Sequence, residues 1–412
     1  MRVIVQCGRL IRNVAAPALV GATLICDDGV ITDIATEASV GRDRNSRFID
    51  CSRWTVMPGL LDSHMHICAD TTGEDTLEAT FRDDVGHAVI RGVRNLRVDL
   101  ESGVTTMRSL GEPAGLDQLF KDAVERGAVI GPRLVISGRP LRPSHGTAAF
   151  LATVADGEEE IRKRIRENFY KGATWIKLFV TNVMNGDRYI DYLQGDLTIT
   201  PAYSRREIAA AIDEAHTLGI KVAAHAIGGP AMRWAIEEGI DSIEHANLLY
   251  EGDVDLFVAY GTTLSDPNLQ LFFDDVTGFH VHDNWRFDWW REKVIDARER
   301  TARFLPEALR AGVRICLGID SNHPYLWKEV EHFVALGATP QQALEAVTTN
   351  TAGLLGMENE VGVIAKGMRA DAIAVSGDPQ VDVKALRNVK VVLQGGKVVF
   401  DGAWNGEEGL KE

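Results

Sequence analysis

The chain has 412 residues, too many for one minimal core and enough for a large domain with a smaller one appended. With 45% hydrophobic and 25% charged residues it has the balance of a soluble globular protein, which excludes a disordered chain; its net charge of −15, with no lysine or arginine run, excludes a nucleic-acid footprint. Its five cysteines, Cys7, Cys26, Cys51, Cys68 and Cys316, contain no Cys-x-x-Cys pair and read as buried thiols of a reducing compartment.

The segment MRVIVQCGRLIRN lacks the sustained apolar core of a signal peptide, and no apolar stretch approaches the roughly 20 residues of a membrane span. A cytoplasmic location and no membrane partner are therefore expected. Residues 1–58 alternate short β-rich runs (3–7, 22–26, 30–34 and 47–50) with turns such as Asp27-Asp28-Gly29. Runs at 371–376, 389–394 and 397–400 repeat that texture near the other end, with Gly395-Gly396 as a hairpin turn. Neither segment carries enough core alone, so residues 1–58 and 359–412 are expected to build one small β-sandwich together.

Between them, residues 59–358 alternate strands with amphipathic helices, the α/β pattern of a parallel sheet. The strand candidates are 57–64, 104–109, 133–137, 174–179, 220–225, 242–245, 262–265 and 314–320. Eight strands in about 300 residues match a TIM-type (β/α)8 barrel. Helices fit the gaps: 205–218 follows the N-cap candidate Ser204, and 230–238 opens on a proline and precedes Gly239. The gap 266–312 holds an irregular aromatic-rich piece and a helix.

A barrel of this kind places its chemistry at the C-terminal ends of its strands. The stretch GLLDSHMH ends the first strand in His64 and His66, which project to one face as i and i+2. The fourth strand, ATWIKLFVT, carries Lys177 in an apolar run; the fifth ends in His225, the sixth in His245 and the eighth in Asp320. Buried imidazoles and charges are costly unless paired or bound to metal, so six such groups at one mouth argue for a metal centre over a set of separately satisfied core residues. For Lys177 a carboxylate partner remains an alternative. It becomes a ligand if CO2 carboxylates its amine, converting a cation into an anionic oxygen donor.

His-x-His at the first strand, Lys177 in WIKLF, His225 in AAHAIGG, His245 in IEHANL and Asp320 in GIDSN resemble the amidohydrolase superfamily, and more narrowly its prolidase-type dipeptidases and N-acyl amino acid hydrolases. The resemblance covers almost the whole chain and includes the split β-sandwich and the loop PSHGTAAF. It implies two divalent metal ions, zinc in the first place. His64, His66 and Asp320 would hold one and His225 and His245 the other, with a carbamate on Lys177 and a hydroxide bridging them. Asp320 would move the water's proton to the leaving amine, and His145, in the loop after the third strand, would contact the substrate carbonyl and stabilise its oxyanion.

The implied activity is hydrolysis of an amide-type C–N bond in a dipeptide or N-acyl amino acid. A carbamate, urea or lactam is the alternative substrate. A one-metal deaminase on the same fold would dispense with the lysine, and a non-catalytic scaffold would lose ligands that this chain retains. One departure bears on substrate: where the dipeptidases tend to carry a tyrosine near the substrate's carboxylate, this chain has Ile227.

The insert 271–290 carries Phe272, Phe273, Phe279, Trp285, Phe287, Trp289 and Trp290, and either overhangs the mouth as a pocket wall or forms an oligomer contact. Asn322 and His323, just past Asp320, are further candidates for substrate contact. His280 and His282 follow no apolar strand and read as non-ligands, and His87, His216 and His332 fall on expected helices. The expected partners are a small-molecule substrate and further copies of the chain in a homo-oligomer.

Overall fold

The computed structural model describes residues 1–36, 46–69 and 77–402. The α/β class is observed, with parallel strands at the centre and helices between them. A three-stranded parallel sheet joins Leu60–Met65, Val104–Ser109 and Arg133–Ile136. A seven-stranded sheet runs through Trp175–Phe179, Lys221–Ala226, Ser242–His245, Thr263–Ser265 and Ile315–Cys316, with the short strands Leu141–Arg142 and Thr153–Val154 at its other edge. Those two short strands have no counterpart in the sequence reading.

Backbone bonds link the two sheets at both sides. Thr174 N donates to Ile136 O at 3.1 Å, and Ser63 N to Leu317 O at 3.0 Å. The last expected strand is shorter than its apolar run. After Cys316 the backbone leaves regular pairing and returns to it only at a bridge between Met65 and Asp320.

The helix Arg205–Thr217 shows how sequence becomes packing. Ser204 and Glu207 close a capping box, and Ile208, Ala211, Ile212 and Ala215 form the buried stripe at helical spacing. In the strand Trp175–Phe179, Ile176 and Leu178 face the main core while Trp175 and Lys177 face the opposite side. That alternation brings Lys177 to the site.

The two chain ends share one eight-stranded sheet, in which Ser46–Pro58 pairs parallel with Arg2–Leu10 and antiparallel with Ala372–Val375. Met57 and Pro58, expected at the start of the first central strand, belong to this sheet instead, because the Pro58-Gly59 turn ends one strand and begins another. Gly395 and Gly396 form the expected two-residue turn, both with positive φ (53° and 71°), between the paired Gln394 and Lys397. Residue alternation divides the sheet's faces. Val56, Ala372, Ala374, Val391 and Leu393 pack into a core of the end unit, whereas Met57, Ile373, Val375 and Val392 pack into the main core. All five cysteines are buried and free. No helix among the described residues is long and apolar enough to cross a membrane.

Candidate active site

The histidines converge as the strand ends require. His64 Nε2 and His66 Nε2 lie 3.4 Å apart, and the ring centroid of His245 is 5.0 Å from that of His64 and 4.8 Å from that of His225. Lys177 Nζ is 3.2 Å from His64 Nε2. Asp320 Oδ1 is 3.6 Å from His66 Nε2 and 3.8 Å from His64 Nε2. His64 and Lys177 are fully buried, whereas the Asp320 side chain keeps 22% of its surface open to the cavity above.

The surrounding contacts orient each ring. His66 Nδ1 donates to Gly111 O at 2.7 Å, which presents Nε2 to the centre. His64 Nδ1 lies 2.9 Å from Asp266 Oδ2 and 3.2 Å from Glu244 Oε2. His245 Nδ1 lies 3.2 Å from Asp266 O, and His225 Nε2 meets Asn182 Nδ2 at 2.9 Å. Strand alternation alone would not aim His245 here, because its neighbour Glu244 already faces inward to Arg108. A left-handed backbone at His245, φ 76°, turns the imidazole back to the same side.

Burial sets the protonation states. It holds the His64 and His225 imidazoles well below their usual range and lowers His245 to about 3, so all three are neutral nitrogen donors near pH 7. Burial likewise lowers Lys177 to about 8, against the pull of Glu244 and Asp320. Burial also opposes the charge on Glu244, but Arg108 and Lys177 outweigh it and keep the carboxyl below its ordinary value. Arg108 is itself buried, with Nη2 2.9 Å from Glu244 Oε1 and its guanidinium 4.3 Å from the centre of the Trp175 ring.

This donor set suits divalent cations. The ligand atoms of His64, His66 and Asp320 lie within 4.8 Å of one another, and so do those of His64, His245 and Asp266. Asp266 is the addition to the sequence reading. It is fully buried, which pushes its carboxyl well above the ordinary range, and its Oδ2 faces His64 Nδ1 at 2.9 Å. It follows the strand Thr263–Ser265 in left-handed backbone (φ 47°), and with one leucine between two hydroxyl residues that strand gives the sequence no apolar run to mark it.

Above the histidines opens a cavity of about 480 Å³ whose lining includes His225, His245 and Asp320. Its walls hold Tyr189, Tyr192, Ile227, Phe272, Phe279 and Trp290, so the aromatic insert does border the site. Trp290 is only 1% exposed and packs edge-on against Phe279, with ring centroids 5.4 Å apart. Asn284 Nδ2 donates to Tyr189 Oη at 2.7 Å, tying the insert to the helix Tyr189–Gly195 across the mouth. His282, read from the sequence as a non-ligand, also lines this cavity.

The remaining candidates fall as follows. His145 is exposed in its loop and is not among the residues lining the cavity; its carbonyl accepts from Met184 N at 2.8 Å. His323, expected near substrate, turns away: its Nδ1 is 2.7 Å from Asp99 Oδ2 and its Nε2 3.4 Å from His66 O, so it braces the backbone at His66 from behind. Asn322 is buried and likewise outside the lining. His87, His216 and His332 lie on helices beside Asp84, Asp241 and Asp274.

Comparison with known proteins adds an independent result. The model of the amidohydrolase family matches residues 55–399. The chain is 26% identical to the ochratoxinase of Aspergillus niger over a 433-residue alignment spanning 96% of this chain and 86% of that protein. It superposes with a TM-score of 0.84 on a Xaa-Pro dipeptidase with methionine bound in its active site, at 27% identity over 98% of this chain and all of the other. A prolidase complexed with N-methylphosphonate-L-proline also gives 0.84, at 27% identity, with 97% and 100% covered.

Proposed function

The chain belongs to the amidohydrolase family, and we propose that it is a metal-dependent hydrolase cleaving a C–N bond of amide type. The observation that carries the proposal is the convergence of His64, His66, His245, Asp320 and the buried Lys177 beside one cavity. His64, His66 and Asp320 would hold one ion and His225 and His245 a second, with Lys177 as its carbamate between them and Asp266 as a further candidate ligand. Two ions held there, zinc in the first place, would supply a water of lowered pKa and polarisation of the scissile carbonyl.

The residues of the chain do the rest. Asp320, on the cavity wall, takes the proton of the attacking water and delivers it to the departing amine. Asn268 Nδ2, 3.4 Å from Asp320 Oδ2, limits how that carboxylate turns. His145 contributes to the oxyanion if its loop, bonded through Thr147 N to Asn182 O at 3.0 Å, brings the ring inward when substrate binds.

The reading extends to the architecture. Without the short edge strands Leu141–Arg142 and Thr153–Val154, the two linked parallel sheets are taken as one eight-stranded TIM-type barrel of residues 59–358, and the shared end sheet as the expected β-sandwich of 1–58 and 359–412, of which 37–45 and 403–412 lie outside the described residues. A cytoplasmic homo-oligomer acting on a small molecule completes the proposal.

A screen of zinc- and bicarbonate-loaded protein, following released amine from dipeptides, N-acyl amino acids, carbamates, ureas and lactams, tests the activity. No turnover in any panel would overturn it. Dipeptides and N-acyl amino acids carry a free carboxylate and the other three classes do not, so the cavity lining bears directly on the choice.

A further inference from the structure

We propose that the substrate of this site carries no carboxylate: it is an amide-type compound with a bulky apolar group, whose remaining polar feature is a hydrogen-bond donor, a neutral N–H or an ammonium, set against Asp196. This rests on the hydrolase reading and narrows its substrate class.

The sign of the lining is the first ground. The carboxylate side chains bordering the cavity are Glu78, Asp196, Asp283 and Asp320, and among the described residues no lysine or arginine borders it. Away from the metal floor, a substrate carboxylate bound there would lose its water and meet like charges with no basic side chain to offset them.

The neighbouring cations are committed elsewhere. Lys293 donates to the carbonyl oxygens of Gln194 and Asp196 at 2.6 and 2.8 Å. Arg188 pairs with Asp191 at 2.7 Å, and Arg291 donates to Trp285 O at 2.9 Å.

Asp196 is placed for a donor. Its Oδ1 accepts from Asn182 Nδ2 and from Leu197 N, both at 2.8 Å, and the same Asn182 nitrogen is 2.9 Å from His225 Nε2. The carboxylate is therefore fixed one side chain away from the histidine floor. Both bonds fall on Oδ1, so Oδ2 is the oxygen a ligand donor would meet.

The same cavity is walled by Tyr189, Tyr192, Phe272 and Trp290, whose ring faces accept apolar groups and cations alike. Ile227, just beyond His225, packs into the apolar cluster of Leu193, Leu197, Phe272 and Trp290 and offers no polar group.

Three compounds that share one scissile bond test this: N-hexanoyl-phenylalanine, its primary amide, and N-hexanoyl-1,2-diamino-3-phenylpropane. They place a carboxylate, a neutral N–H donor and an ammonium at the same carbon. On the metal-loaded protein, kcat/KM for the amide or the amine is expected to exceed that for the acid at least about tenfold, with Asp196→Asn shrinking the ratio severalfold. A preference for the acid, or a ratio unmoved in the Asp196→Asn protein, overturns the inference. Calorimetric titration with the same compounds separates it from the hydrolase reading. Tighter binding of the amide or amine without turnover of any of the three supports this pocket and counts against that activity, while tighter binding of the acid overturns the pocket whatever the turnover.

Discussion

Lys177 Nζ stands 3.2 Å from His64 Nε2, with both side chains wholly out of solvent. An ammonium at that distance would repel any cation held by His64, so Lys177 serves a metal centre only by losing its charge. Lowering its pKa to about 8 raises the neutral amine at pH 7 to roughly one molecule in ten, the form that reacts with CO2. Replacing Lys177 with Ala is expected to reduce bound metal and lower turnover at least about 100-fold, with partial recovery in millimolar formate, acetate or propionate. Metal analysis and rates with and without those acids check it. Full metal content in the variant would remove Lys177 from the centre.

Asp320 is the carboxylate that belongs both to the proposed ligand set and to the cavity wall, where Asp266 does not reach. Asn keeps its shape and one acceptor oxygen but cannot take a proton. Asp320→Asn should therefore cost roughly 10²- to 10⁴-fold in kcat while leaving the circular-dichroism spectrum unchanged. Activity within about threefold of the parent would rule out its part as the proton carrier.

How far the sequence discloses this site depends on where each residue sits. His64, His66, Lys177 and His225 lie on or directly after regular strands, where a period of two and an apolar run mark which way a side chain points. Asn182, Asp266 and Asn268 lie just past strand ends in left-handed backbone, with φ of 71°, 47° and 55°. Nothing in the sequence distinguishes them from ordinary loop asparagines and aspartates, the types that tolerate that conformation best. His323 was misplaced for a related reason: proximity to Asp320 in sequence says nothing of the Asp99 carboxylate, 224 residues away, that draws it to the rear. Asp196 had no local signal. Only the folded cavity sets it beside the aromatic walls.

Asp274 anchors the start of the insert to the helix Leu326–Ala335. Its Oδ1 accepts from Lys328 Nζ at 2.8 Å and from Thr277, and its Oδ2 is 3.3 Å from His332 Nε2. Burial works against the charge, but the bonds from Lys328 and Thr277 prevail and hold the carboxyl well below its ordinary range. A depressed carboxylate contributes stability above its unfolded pKa of about 3.9 and loses it as pH falls further, because the unfolded chain then binds the proton first. The melting temperature of the parent should exceed that of Asp274→Asn at pH 7, with the difference narrowing below about pH 4. A constant difference across that range would show that the anchor does not depend on charge.

Trp289 and Trp290 are adjacent but do different things, and this separates the two readings of the insert. Trp290 is 1% exposed and borders the cavity, while Trp289 is half-buried, stacked on Phe287 at 5.5 Å with 5.8 Å between its ring centre and Lys293 Nζ. A wall residue acts on substrate affinity, and a half-exposed neighbour is the one available to another subunit. Trp290→Phe keeps an aromatic ring but gives up part of the wall, so it should raise KM for apolar substrates about tenfold with kcat within about twofold. Trp289→Ala should leave KM near the parent value. If Trp289→Ala instead changes the sedimentation coefficient, the outer face of the insert is an interface between copies. If Trp290→Phe leaves KM unchanged, the insert borders the cavity without shaping what enters it.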